Sequence, residues 1–343
     1  MELLLALDAG TSGVRAVALD PRARVVDSAQ RDLPAHFPQP GWVEHDADLI
    51  ATLALSVLTE VAERAGGRGD TVGCLGLTNQ RETTVAFDRD NGRVAGRAIV
   101  WQDRRTSEAC ADLAASGHGP RVREVTGLVL DPYFSATKMR WLVDHGALDT
   151  MRAPALATID TWLLWRLTGG AEGGAFLTEP SNASRTMLLD LATRRWSAEM
   201  AALFGVPLDA LADVTTSHAR FGEVSASAVA RLAGVPITGV LGDQQAALFG
   251  QACVTPGQVK ATYGTGSFVM MNTGATPLVG EGLLSTIAWD LGEATYALEG
   301  SAFVTGAAVQ WLRDELGFVS HASELEALAA SAPTSDGVTF VPA

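Results

Sequence analysis

The chain has 343 residues, 47% hydrophobic and 19% charged, which is enough to bury a large core and more than one ordinary domain needs. Two domains are therefore expected, and a disordered chain is excluded. A formal net charge of −14 excludes a nucleic-acid surface, because phosphate backbones are held by clustered Lys and Arg. Lys138 and Lys260 are the only lysines, and neither stands in the glycine-rich frame followed by Ser or Thr that a P-loop requires. Cys74, Cys110 and Cys253 lie far apart without metal or redox spacing and read as buried, reduced thiols. The opening MELLLALDAG has no basic region and runs into a polar turn, so it reads as neither signal peptide nor anchor. No apolar run approaches the roughly 20 residues of a membrane span, and a cytoplasmic location is the expectation.

In chain order, Leu3 to Leu7 and Val14 to Leu19 are short apolar runs around Asp8-Ala9-Gly10-Thr11-Ser12-Gly13, a hairpin with a glycine-rich turn. Apolar residues at helical spacing predict a helix over 46–65, with Asp46 as N-cap and Gly66-Gly67 as the stop. Strands are predicted near 72–78, at 83–88 and at 94–101, the last two joined by a turn at Asp90-Asn91-Gly92, giving a mixed sheet with covering helices. Asp160 can cap a short helix through Leu167 that Gly169 ends, and helices and loops follow to about residue 235. A buried strand at 237–241 leads through Gly242-Asp243-Gln244-Gln245 into a helix over 246–251. Strands at 260–263 and 268–272 flank Gly264-Thr265-Gly266-Ser267 and repeat the opening pattern, so one domain is expected over 1–248 and a second from 249 onward.

The turn at 8–13 offers a carboxylate, two hydroxyls and two glycines, a set that can converge on phosphate oxygens but that an ordinary hairpin turn also requires. The similar turn at 264–267 favours phosphate, since two such loops at the heads of two domains can close on one nucleotide. Asn79 to Thr84 places six polar residues between apolar strands, where Arg81 can donate in a fixed fork and Glu82 can accept from a hydroxyl, as a polyol would need. An exposed Arg–Glu pair would look the same. Trp101 and Tyr133 can wall the carbon face of such a ligand or simply pack in a core. Asp243 follows a buried strand and opens a helix, the crevice position of open α/β sheets, though Asp is also a preferred N-cap. A helix N-terminus would hold its pKa low and make it a feeble base.

The strings LALDAGTSGVRAV, PGWVEHD, GLTNQRETT, IVWQDRR, TGLVLDPYFSATK, IDTWLLWRLT, SNASRTM, GDQQAALFGQ, TYGTGSF and YALEGSAFVTGAAVQWLRDE resemble the FGGY group of carbohydrate kinases, from about residue 3 to the end. NQRETT and GDQQAALFGQ are nearer to its glycerol kinases than to its pentulose kinases. The resemblance implies an α/β, actin-like and ribonuclease-H-like ATPase fold of two domains, the second incomplete, closing over ATP, Mg²⁺ and glycerol. It implies ATP-dependent phosphorylation of glycerol to sn-glycerol 3-phosphate, with Asp243 as catalytic base. Arg81, Glu82, Tyr133, Asp243 and Gln244 match glycerol ligands, and Trp101 and Phe268 match pocket walls. Thr11, Ser12, Gly13, Thr265, Gly306 and Gln310 match nucleotide contacts, Arg15 a phosphate-side arginine, and Asp8 with Asp243 the place where Mg²⁺ would be held.

Some positions depart from the pattern. Ala9 stands where the family has Gln, Ser12-Gly13 where it has Thr-Ser or Thr-Thr, and 222–236 lacks the glycine-rich basic loop used for sugar-bisphosphate inhibition. Relatives continue beyond Ala343 into a segment that grips adenine, so the resemblance implies a truncated second domain with unpaired sheet edges and uncovered apolar faces. A dimer or tetramer is implied for the full-length protein, with no nucleic-acid partner. Two alternatives stay open: a kinase for another polyol or triose, such as erythritol or dihydroxyacetone, and a polyol-binding protein without catalysis.

Overall fold

The computed structural model describes residues 1–264 and 266–341. The chain opens with β1 (Glu2–Ala9), β2 (Gly13–Leu19) and β3 (Val25–Asp32). Alternation places Leu3, Leu5, Leu7 and Ala9 of β1 with Val14, Ala16 and Ala18 of β2 on one buried face. After the short β4 (Glu44–His45), helix α1 (Ala47–Gly67) covers that face with Ile50, Ala54, Val57, Leu58 and Val61. Asp46 caps α1 as expected, accepting from Leu49 N–H at 3.0 Å. The expected stop at Gly66-Gly67 is too early. The helix runs through both glycines, whose cost of about 1 kcal/mol each is tolerable, and reverses at Gly69 with φ of 77°.

Next come β5 (Thr71–Asn79), β6 (Thr84–Asp88) and β7 (Ala98–Ile99). The strand expected over 94–101 is only these two residues plus an isolated bridge from Val94 to Phe87, because Gly96 turns the backbone to a φ of 79° between them. Helices α2 (Ser107–Ala115), α3 (Gly119–Thr126) and α4 (Ser135–Asp144) lead to β8 (Pro154–Thr158) and α5 (Ile159–Leu167). Thr158, not Asp160, is the N-cap of α5. Asp160 lies inside the first turn and accepts from the hydroxyls of Thr158 and Thr178 at 2.5 and 2.6 Å.

The connecting region carries β9 (Leu177–Thr178), α6 (Pro180–Ala183), β10 (Leu189–Asp190), β11 (Arg195–Trp196), α7 (Ala198–Phe204), β12 (Asp213–Val214) and β13 (Gly222–Glu223). Strand β14 (Pro236–Gly242) then runs directly into α8 (Asp243–Gly250), which begins three residues before the position expected from sequence. The rest is β15 (Val259–Tyr263), β16 (Ser267–Gly274), β17 (Leu284–Asp290), β18 (Ala294–Ala302), α9 (Gly306–Asp314) and α10 (Glu324–Ala330).

Three main sheets result. The central one has the order β13-β14-β5-β1-β2-β3, in which β14, β5 and β1 are mutually parallel. Flanking it is β4-β7-β6-β8, so β5 and β6 are not a hairpin: the polar run between them crosses from one sheet to another. The third is the antiparallel β15-β16-β18-β17. Away from α1, the central sheet leaves an apolar groove of about 520 Å³ between Leu77, Val240, Phe249 and Trp289.

Candidate active site

The register of the parallel strands positions the site. Ala9 of β1 and Gly242 of β14 both pair with Asn79 of β5, so three strands end at one level. The residues that follow them, Gly10 to Ser12, Gln80 to Glu82 and Asp243-Gln244, therefore meet in one crevice beyond the carboxyl ends of the strands. That crevice is a cleft of about 360 Å³, walled by Trp101, Tyr133 and Phe268 and closed on the far side by Thr262, Gly264 and Gly266. Of the expected residues it gathers Thr11, Ser12, Arg81, Glu82, Trp101, Tyr133, Asp243, Gln244 and Phe268. The rings of Trp101 and Tyr133 meet edge to face at 5.7 Å, and those of Trp101 and Phe268 at 6.1 Å.

The first loop is a tight turn, Gly10 N–H donating to Gly13 O at 2.9 Å. Trp101 Nε1–H donates to Thr11 Oγ1 at 2.9 Å, which ties the loop to the aromatic wall. Gly13 stands at the start of β2, where a Cβ would come 2.9 Å from the carbonyl oxygen of Arg31. Neither Gly13 nor Arg15 lines the cleft; Arg15 faces Asp8 across the hairpin. In the second loop Gly264 N–H donates to Gly266 O at 2.9 Å, and Gly306 N–H reaches Gly264 O at 3.0 Å, so α9 begins against this loop. Gln310 follows one turn along α9. Thr265 lies outside the described residues.

Arg81 and Glu82 are buried, and Glu82 adopts a left-handed φ of 60°, a conformation unusual for a residue with a side chain. Arg81 donates to both oxygens of Glu299 at 2.6 and 2.9 Å, to Gln245 Oε1 at 3.1 Å and to Tyr133 Oη at 3.2 Å. Burial pushes Glu299 up, but Arg185 and Arg81 more than offset it and hold the carboxyl down at about 2.

Asp243 departs from the sequence reading. Gly242 is the N-cap of α8 and Asp243 the first helical residue, its Oδ1 accepting from Gln244 N–H at 2.7 Å. Its pKa is raised, not lowered: although 34% of its side chain is open to the cleft, the protein packed around the carboxylate desolvates it, and this outweighs Arg81 and the Gln244 hydrogen bonds, which pull it down. Asp8 does not line the cleft and is exposed, yet enough protein lies around it that desolvation, and after it the charge of nearby Asp243, push its carboxyl up to about 6 against the pull of Arg15.

A carboxylate in the cleft, Asp243, with the exposed Asp8 close enough to feel its charge, suits a cation that keeps most of its waters and its substrate phosphates, as Mg²⁺ does. Among the described residues no group of three or more His, Cys, Asp or Glu forms an all-protein cage. Asp8 and Asp243 thus fit an ion that arrives with its nucleotide.

Both lysines serve the site, which sequence did not reveal. Lys260 donates to Gln244 Oε1 and, at 2.9 Å, to Thr262 Oγ1, leaving the Gln244 amide N–H groups for the cleft. Lys138 donates to the carbonyls of Pro132, Tyr133 and Phe134 at 2.6, 2.6 and 3.0 Å and fixes the segment that carries Tyr133. Burial pulls Lys138 down to about 7, but three acceptors match the three N–H bonds of an ammonium, and the geometry is that of the charged form.

A sheet-end crevice with paired glycine turns and a polar pocket between them is the arrangement that phosphoryl transfer can use. The N-terminal domain model of the FGGY family of carbohydrate kinases matches residues 3–250 and its C-terminal domain model residues 259–343, and the chain belongs to that family. The chain is 49% identical to glycerol kinase of Myxococcus xanthus over 99% of its length and 69% of the relative's. It is 50% identical to glycerol kinase of Citrifermentans bemidjiense over its whole length and 70% of the relative's. Among solved structures, Plasmodium falciparum glycerol kinase with ADP aligns over the whole chain and 69% of its own length, with a TM-score of 0.89 and 32% identity. Rhodospirillum rubrum xylulose kinase aligns over 97% of the chain and 67% of its own, with a TM-score of 0.85 and 26% identity. The two-domain sugar-kinase fold expected from the resemblance is thereby established.

Proposed function

We propose that this kinase transfers the γ-phosphoryl group of ATP to a terminal hydroxyl of glycerol, giving sn-glycerol 3-phosphate and ADP. The observation that carries the reading is the convergence of Arg81, Glu82, Tyr133, Asp243 and Gln244, from three separate stretches of chain, on one small aromatic-walled cleft. Such a set offers both donors and acceptors to a ligand that is almost entirely hydroxyl. The curated relatives at about half identity are named glycerol kinases, which favours glycerol over a pentulose. We further propose the domain division at residues 248 and 249, which separates the central and flanking sheets from β15–β18.

In this reading Arg81, Glu82 and Gln244 hold the polyol while Trp101, Tyr133 and Phe268 enclose its carbon face and exclude water. Asp243 accepts a hydrogen bond from the attacking hydroxyl and takes its proton late, since phosphoryl transfer has a loose transition state that demands orientation more than a strong base. Its raised pKa brings it nearer the proton it must receive. Thr11, Ser12, Gly13, Thr265, Gly306 and Gln310 contact the nucleotide from two sides, with Arg15 on the phosphate side. Asp8 and Asp243 would hold Mg²⁺, which when bound neutralises charge on the phosphate oxygens.

A coupled ADP-release assay with Mg·ATP, comparing glycerol, erythritol and dihydroxyacetone, tests the assignment. Turnover with glycerol at the highest kcat/KM is the expected result. A preference for either competitor moves the substrate assignment, and glycerol binding without turnover replaces the kinase reading with a binding protein.

A further inference from the structure

Behind the polyol-facing pair lie two fully buried charged side chains with no role assigned so far, Arg185 and Glu299, each 0% exposed. Glu299 takes Arg81 in a two-pronged grip at 2.6 and 2.9 Å, and its Oε1 also accepts from Arg185 Nη2 at 2.9 Å. Arg185 Nε in turn donates to Glu82 Oε1 at 2.6 Å. The four groups form a ladder of alternating sign, Glu82, Arg185, Glu299 and Arg81, with no net charge.

Stability does not account for this ladder. Removing four charges from water costs several kcal/mol per ion, and well-packed apolar residues in their place commonly hold a fold as well or better. What the ladder does account for is which atoms remain free. Both Nη atoms of Arg81 are engaged, by Glu299, Gln245 and Tyr133, so the unspent donor is Nε–H, which stands 3.5 Å from Asp243 Oδ1, too far for a good hydrogen bond. On Glu82, Oε1 is taken by Arg185, while Oε2 has no hydrogen-bond partner among the described residues. Both residues line the cleft.

We propose that Arg185 and Glu299 are positioning residues that set Arg81 and Glu82 so that one N–H donor and one carboxylate oxygen are offered side by side to neighbouring hydroxyls of the polyol. The site thereby selects vicinal diols. Glu299 is carried on β18 of the third sheet, whereas Arg81 and Glu82 follow β5 of the central one, so the selection holds only while the two sheets keep their relative placement. The inference rests on the glycerol reading above.

Calorimetric titration of the protein with glycerol, with 1,3-propanediol and separately with Mg·ATP tests it in the parent and in Glu299→Gln, an isostere that keeps shape and loses charge. Glu299→Gln should weaken glycerol binding about 30-fold, as expected for breaking a buried charge pair. Affinity for 1,3-propanediol, which has no adjacent hydroxyls, should change much less, and affinity for Mg·ATP should not change. Arg185→Lys keeps the charge but not the fork and should give the same selective loss at smaller size, which covers the case that Glu299→Gln does not fold. Equal losses for glycerol, 1,3-propanediol and Mg·ATP would mean a merely structural role, and an unchanged glycerol affinity in a folded variant would overturn the inference alone. Failure of the parent itself to bind glycerol removes the glycerol reading, and this inference with it.

Discussion

Replacing Asp243 by Asn removes the one carboxylate proposed to serve both the attacking hydroxyl and Mg²⁺. Asn keeps an oxygen to accept from Gln244 N–H, now at 2.7 Å, and retains its place at the start of α8, so backbone geometry should survive. Arg81 Nε is 3.5 Å from Asp243 Oδ1, so little direct pairing is lost. What disappears is the second oxygen: an amide N–H₂ cannot accept the hydroxyl proton. Positioned acid–base groups contribute about 10²–10⁴-fold, and the loose transition state places this case in the lower half of that range. We expect kcat to fall about 10²–10³-fold, or about 3–4 kcal/mol in the barrier. The KM for glycerol should stay within about threefold because Arg81 and Glu82 still hold the substrate. The coupled ADP-release assay measures both constants. A second readout does not depend on turnover: the charge of Asp243 helps to raise Asp8, so the Asp8 titration should move to lower pH in the variant. Retention of kcat within about threefold of the parent would refute the assigned role.

Asp8 also gives a pH prediction. Its folded pKa of about 6 lies above its ordinary value of 3.8, so the native state binds more protons between these values and stability falls as pH rises from about 4 to about 6. This group is exposed, and solvent screening reduces the effect to about 1 kcal/mol; thermal melts across this range should show that slope in the parent and a flatter one in Asp8→Asn. Lys138→Met would leave three buried carbonyls without their donor and should destabilise the fold by about 3 kcal/mol, read from the shift of the urea midpoint; an unchanged midpoint would show that the carbonyls find other partners. Trp101→Phe keeps the aromatic wall but removes the bond to Thr11, worth about 1 kcal/mol, and should weaken Mg·ATP about fivefold in a calorimetric titration while leaving glycerol affinity alone. Equal weakening of both ligands would place Thr11 outside the nucleotide loop.

Local pattern alone determined the parts of this protein whose causes are local. Alternation from Leu3 to Leu19 marks a hairpin because β side chains repeat every two residues, and Asp46 caps α1 because its carboxylate meets an unpaired N–H three residues on. The ten family strings likewise pointed to Arg81, Glu82, Tyr133 and Asp243, which meet in the cleft. Boundaries failed where tertiary contacts outvoted propensity: α1 passes Gly66-Gly67 since its last turn still buries Ala65, and Asp160 turns inward to two hydroxyls instead of capping. Sequence points the Asp243 shift the wrong way because a helix terminus is visible in sequence and the surrounding protein that desolvates the carboxylate is not.

The ladder behind the site belongs wholly to the tertiary structure. Glu82, Arg185 and Glu299 are brought together over separations of 103 and 114 residues, and no local pattern carries such a distance. A signal was present: Glu299 is a lone carboxylate after the apolar Tyr296-Ala297-Leu298, and Lys138 and Lys260 are the only lysines in the chain. Sequence can mark a charge as out of place, but the partner that makes its burial tolerable is chosen by the fold, because Coulomb attraction offsets desolvation only at contact distance.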